Sequence, residues 1–163
     1  MRVLALAAAA AALFLVGAAE VPSHVRLPVA AVVVGATITQ PFGCTTLTLE
    51  PFDPTCPTLH IHTGIDLAAP TGVEVHSATA GTAVVGLDPY GAGNYVAVAV
   101  DAHVRILYCH LSAFAVRSGD TVSPGEVIGY VGATGLATGP HVHLQVDVGG
   151  VPVDPAKFLA PSP

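Results

Sequence analysis

Apolar and polar positions alternate in short runs along most of this chain. Val73, Val75 and Ser77 interleave with Glu74 and His76. Tyr95, Ala97 and Ala99 interleave with Val96, Val98 and Val100. A period of two is the mark of a half-buried strand. Further strand-like runs cover residues 104–111, 127–131 and 141–148, and Val32-Val33-Val34 and Thr37-Ile38-Thr39 are β-branched. Gly149-Gly150 predicts a two-residue hairpin into Val151-Pro152-Val153. Asp154-Pro155 reads as the cap and first residue of a short terminal helix over residues 156–159. No stretch from Pro28 to Val153 carries an apolar stripe at helical spacing. Short strands between Gly/Pro turns predict an all-β fold: an antiparallel β-sheet core, sandwich-like or an open barrel.

The N-terminus is patterned differently. Met1-Arg2 is followed by an apolar run from Val3 to Val16 and by small residues up to Ala19. This is the order of regions in a secretory signal peptide, and the run is short for a membrane span of about 20 residues. Residues 1–19 are therefore expected to be a cleaved leader, residues 20–35 a tether and residues 36–160 a single catalytic domain. Contact with the membrane is then transient, and the expected location is secreted, periplasmic or at the cell envelope. In an oxidising compartment Cys44 and Cys56 can close a small loop as a disulfide. Cys109 lies in the apolar run Ile106-Leu107-Tyr108 and reads as a small buried residue.

Composition narrows the function. Hydrophobic residues make up 52 % and charged residues 10 % of 163 residues, which excludes a disordered chain. Five Lys plus Arg against eleven Asp plus Glu leave no basic stripe for nucleic acid. Loss of Arg2 with the leader takes the net charge of −6 one unit further negative. Eight His in so charge-poor a chain call for a reason.

Three segments supply it. In His62-Thr63-Gly64-Ile65-Asp66, two metal-ligand side chains stand four apart with a glycine where the chain must bend. His110-Leu111-Ser112 ends an apolar strand. In His141-Val142-His143 the two imidazoles are two apart, so on a strand they project from one face. Catalytic zinc usually takes three protein ligands and keeps a position for water. Two neutral imidazoles and one carboxylate would leave such a centre at about +1, and two further His would stand beside it for proton transfer. No His-Glu-x-x-His helix is present, so a glutamate base at that spacing is absent. His24, His60, His76 and His103 read as ordinary neighbours, strand-face or turn residues, with His60 near enough to His62 to line a site.

These three motifs, in this order and at these intervals, resemble those of the lysostaphin-type (LytM-like) zinc endopeptidases. Gln40-Pro41-Phe42-Gly43 upstream matches as well, as does the segment from Ser118-Gly119-Asp120 to Gly129. The likeness covers residues 36–160. It implies an antiparallel β-sheet core with the active site in a groove, zinc as cofactor and the peptide part of bacterial peptidoglycan as substrate. It makes His62, Asp66 and His143 the metal ligands and His110 and His141 the catalytic pair. The expected function is an exported, monomeric zinc endopeptidase. The alternative is a non-catalytic cell-envelope activator of other wall hydrolases, which relatives lacking ligands resemble and from which this chain differs in keeping all five positions. A lipoyl carrier would need a lysine at a hairpin tip, and the one lysine is Lys157. The Cys44–Cys56 insert departs from the family pattern and is expected at the groove entrance.

Overall fold

A computed structural model describes residues 25–159. The predicted leader, the first residues of the tether with His24, and Ala160 lie outside the described residues. The chain runs through β1 (Thr37–Gln40), β2 (Gly43–Thr45), β3 (His60–His62), β4 (Ile65–Ala68) and β5 (Glu74–His76). There follow β6 (Gly81–Asp88), β7 (Gly93–Ala99), β8 (Val104–Leu111), β9 (Ala113–Phe114) and β10 (Thr121–Val122). β11 (Val127–Tyr130), β12 (His141–Val148), β13 (Val151–Val153) and α1 (Pro155–Phe158) complete it.

One large antiparallel sheet has the order β1-β4-β12-β8-β7-β6-β10, with β13 also paired to β12. A second sheet, β5-β11-β9, contributes Val75 and Ile128 to the same core as Val142, Leu144 and Val146 of β12. The all-β antiparallel reading of the sequence is therefore the fold observed. β12 shows why the alternation is informative. Val142, Leu144 and Val146 are fully buried, while His141, His143 and Gln145 between them are half-buried on the other face. That second face of the sheet carries the two imidazoles of the His141-Val142-His143 motif. The terminal helix is capped as expected: the Asp154 side chain accepts from the Ala156 N–H at 2.9 Å.

The Val32-Val33-Val34 run departs from expectation. It follows a 3-10 turn at Val29–Ala31 and forms no strand. Val32 and Val33 are both buried although adjacent, which a strand with one core face cannot achieve. The Ala36 N–H closes the turn on the Val33 carbonyl at 3.2 Å, so two valines enter the core from a bend.

Tyr108 and Cys109 of β8 give the fold an alkaline limit. Burial pushes both the Tyr108 hydroxyl and the Cys109 thiol up to about 12. For a group whose pKa is raised on folding, stability is full below the unfolded value and falls as pH climbs through the folded one. With unfolded values near 8.5 for Cys and about 10 for Tyr, stability is expected to decline from about pH 9 towards pH 12. Denaturant melts across that range check this, and Cys109→Ala should move the onset upward. At pH 8 the native thiol should resist alkylation that is rapid after unfolding.

Candidate metal centre

Strand register builds the centre. His62 ends β3, Thr63-Gly64 turns the chain, and Asp66 lies in β4. β12 pairs with β4 so that His143 stands directly opposite Asp66. One donor atom from each of His62, Asp66 and His143 lies within 4.8 Å of the others. The closest atoms form a small triangle. Asp66 Oδ1 is 3.1 Å from His62 Nε2 and 3.0 Å from His143 Nδ1, and those two nitrogens are 3.0 Å apart. A tetrahedral zinc with bonds of about 2.0 Å has edges of about 3.3 Å, so the spacing fits.

The hydrogen bonds show what these atoms offer. His62 Nδ1 is 2.9 Å from the Pro41 carbonyl and donates to it, so a neutral His62 presents a bare Nε2. His143 Nε2 faces Oε1 of Gln145 at 3.4 Å, which leaves Nδ1 bare. Two lone pairs and a carboxylate oxygen therefore converge, and only a cation between them relieves the repulsion. In the metal-free protein a proton serves. Burial works against charge on His62, but the Asp66 hydrogen bond outweighs it and the pKa is raised. Burial likewise opposes ionisation of Asp66, but the close approach of the His143 and His62 rings outweighs it and holds the carboxyl well below the usual carboxylate range.

His141 and His110 flank the triad. His141 donates Nδ1–H to the Gly139 carbonyl at 2.8 Å, and its Nε2 is 3.7 Å from Asp66 Oδ1. His110 donates Nδ1–H to the Thr134 carbonyl at 2.8 Å. Their ring centroids are 4.7 Å apart. His110 reaches this position by an irregular backbone. Strand alternation puts Leu107 and Cys109 on the site face and would send His110 to the core. The β7–β8 register shifts beside it, and His110 adopts a left-handed φ of 65°. Such a conformation costs a non-glycine residue on the order of 1 kcal/mol and is typical of functional positions. Burial and the neighbouring imidazoles push its pKa down to about 4, although the Thr134 carbonyl opposes this.

The centre opens into a cavity of about 350 Å³. Leu47, Leu49, Glu50 and Pro51 line it, as do Leu136 and Thr138. The first four belong to the loop between Cys44 and Cys56, which are disulfide-bonded. The insert thus borders the site. Opening the disulfide is expected to cost up to about 3 kcal/mol on the chain-entropy model. Thermal melts of Cys44→Ser/Cys56→Ser protein against wild type measure it. A second expectation concerns Gly64. A Cβ there would press on the Leu144 carbonyl and come within 2.7 Å of His143 Nε2. Gly64→Ala should therefore lower both Tm and metal affinity, by a few-fold or more for the latter, as a chelator competition assay can read.

The remaining His stand apart. His60 turns to the Glu50 carbonyl and the Phe52 ring, and does not line the cavity. His76 faces Glu74 at 3.6 Å, and His103 lies in the turn before β8. Cys109 is buried and lines the cavity. Sequence reasoning did not single out Gln145, Thr63 or Glu50. Gln145 carried a signal: it continues the His141, His143 face of β12 at a spacing of two.

Comparisons with known proteins agree with this architecture. Residues 60–155 match the model of Peptidase family M23. The DD-carboxypeptidase/endopeptidase Mpg of Neisseria meningitidis is 40 % identical over 126 residues, 77 % of this chain and 28 % of Mpg. The chain thus spans about a quarter of the length of the curated relatives it matches. A zinc-containing peptidase from Vibrio cholerae superposes with a TM-score of 0.64 at 35 % identity, covering 78 % of this chain and 37 % of that one. The catalytic domain of lysostaphin from Staphylococcus simulans gives 0.64 at 30 % identity, over 77 % of this chain and 93 % of that domain. From the strand that ends at His62 to the start of the terminal helix, this chain belongs to Peptidase family M23.

Proposed function

We propose that this chain is an exported zinc endopeptidase that hydrolyses peptide bonds in bacterial peptidoglycan. The observation that carries the reading is the convergence of three ligand atoms, on His62, Asp66 and His143, with two further imidazoles beside them at an open cavity. The relatives support the substrate class: they include a peptidoglycan DD-endopeptidase of Vibrio cholerae, ShyB, and lysostaphin. Export rests on the leader pattern of residues 1–19. Among the described residues no helix is long and apolar enough to cross a membrane.

His62, Asp66 and His143 hold the metal. Bound there, zinc supplies a Lewis acid that polarises a carbonyl and acidifies water. The chain's own contribution is proton handling. His110 and His141 each donate Nδ1–H to a backbone carbonyl, so each presents Nε2 as a lone pair to the groove. One takes the proton released as water attacks the scissile carbonyl. The pair then returns a proton to the leaving amine, and the protonated ring steadies the negative charge on the tetrahedral oxygen. Burial holds the pKa of His110 down to about 4, so the ring is neutral throughout the neutral range. The cut consumes one water and yields one carboxylate and one amine.

The test is digestion of purified peptidoglycan by the chain, with products identified by mass spectrometry. New amino and carboxyl ends within the peptide are expected, and their loss on chelation. Release of sugar–peptide fragments by amide cleavage at the lactyl group, or no product at all, would overturn the endopeptidase assignment.

A further inference from the structure

Each of the four imidazoles is anchored through one ring nitrogen, but the anchors differ in kind. His62, His110 and His141 donate to the carbonyls of Pro41, Thr134 and Gly139. A backbone carbonyl can only accept, so those three tautomers are set by the main chain. His143 meets a side chain instead: its Nε2 is 3.4 Å from Oε1 of Gln145, while its Nδ1 lies 3.0 Å from both Asp66 Oδ1 and His62 Nε2, where it can accept the His62 proton. A carboxamide is an acceptor at one end and a donor at the other. Turned over, Gln145 would present N–H to His143, move the ring proton to Nδ1 and remove the lone pair aimed at Asp66 and His62.

What prevents the turn lies further along the same face of β12. Gln145 Nε2 donates to Asp147 Oδ1 at 2.7 Å, and Thr63 Oγ1 donates to Gln145 Oε1 at 2.7 Å. Asp147 is 2 % exposed, and its other oxygen is 2.8 Å and 2.9 Å from Arg105 nitrogens. Paired with a guanidinium, that carboxylate can only accept. The donor end of Gln145 is therefore committed to Asp147 and its acceptor end to His143. We infer that Gln145, locked by Asp147 and Arg105, is a positioning residue that fixes the His143 tautomer with Nδ1 free for the metal. This rests on the zinc reading above, but its consequence for the ring is present without metal.

The test uses the full chain at pH 8, metal-free for ring nitrogen NMR, then titrated with zinc against a chromophoric chelator. Wild type should show His143 protonated at Nε2. Gln145→Leu should give a mixed or inverted tautomer and zinc affinity about 10- to 100-fold weaker. Gln145→Glu/Asp147→Asn exchanges acceptor and donor between the two positions, and should restore the tautomer and bring affinity within about threefold of wild type. Asp147→Asn alone frees the amide to turn and should give a mixed tautomer, and it reads the same link if Gln145→Leu does not fold. A wild-type tautomer in Gln145→Leu or Asp147→Asn, or no rescue by the double variant, overturns the inference. Failure of wild type itself to bind zinc would instead remove the metal reading, with the tautomer measurement still decisive for Gln145.

Discussion

His143→Ala protein is expected to bind no stoichiometric zinc and to lose wall-lytic activity by at least about a thousandfold. His143 Nδ1 is one corner of a triangle whose other corners are 3.0 Å away on Asp66 and His62. Its removal leaves two donors, and Asp66 then pairs with a protonated His62, which closes the position that a metal needs. The fold should survive, because β12 is held by the buried Val142 and Leu144 on its other face. Metal analysis, circular dichroism and turbidity clearance of walls on one preparation separate these outcomes. Zinc retained with full activity would exclude His143 from the centre.

The second large effect lies beside the metal. His110→Ala and His141→Ala should each keep one zinc and yet lose activity by about a hundred- to ten-thousandfold, the usual span for removal of a proton-transfer group. Retention of zinc distinguishes these variants from His143→Ala. For His110, NMR titration of its ring adds a sign. Burial disfavours the imidazolium and takes the pKa down to about 4, so the ring should stay neutral as pH falls from 8 to 5. A ring that protonates near its ordinary value of about 6.5 would contradict the buried geometry.

The centre was legible where it follows from strand periodicity. His141 and His143 share a face because β12 alternates, and the same alternation marks Val142 and Leu144 as core. The Gly149-Gly150 turn and the Asp154 cap follow from local chemistry in the same way. Other features depend on tertiary packing. Val32 and Val33 look like a strand, but both are drawn into the core from a turn. His110 faces the groove only through a register shift and a left-handed backbone, which no two-residue period can reveal. The pairing of Arg105 with Asp147, forty-two residues on, required β8 and β12 to be aligned. Periodicity and residue chemistry brought the three segments together as a candidate site, and the likeness of the ordered motifs to a known family added the expected role of each of the five residues.

One zinc, held by His62, Asp66 and His143, is what we propose makes this chain a peptidoglycan endopeptidase. The most direct test is stepwise return of zinc to the chelator-stripped chain, followed by cleavage of a defined peptidoglycan peptide. Activity should rise in proportion to zinc and level off at one equivalent per chain. Equal activity before and after stripping, or a chain with its zinc restored that leaves every peptide bond intact, would contradict it.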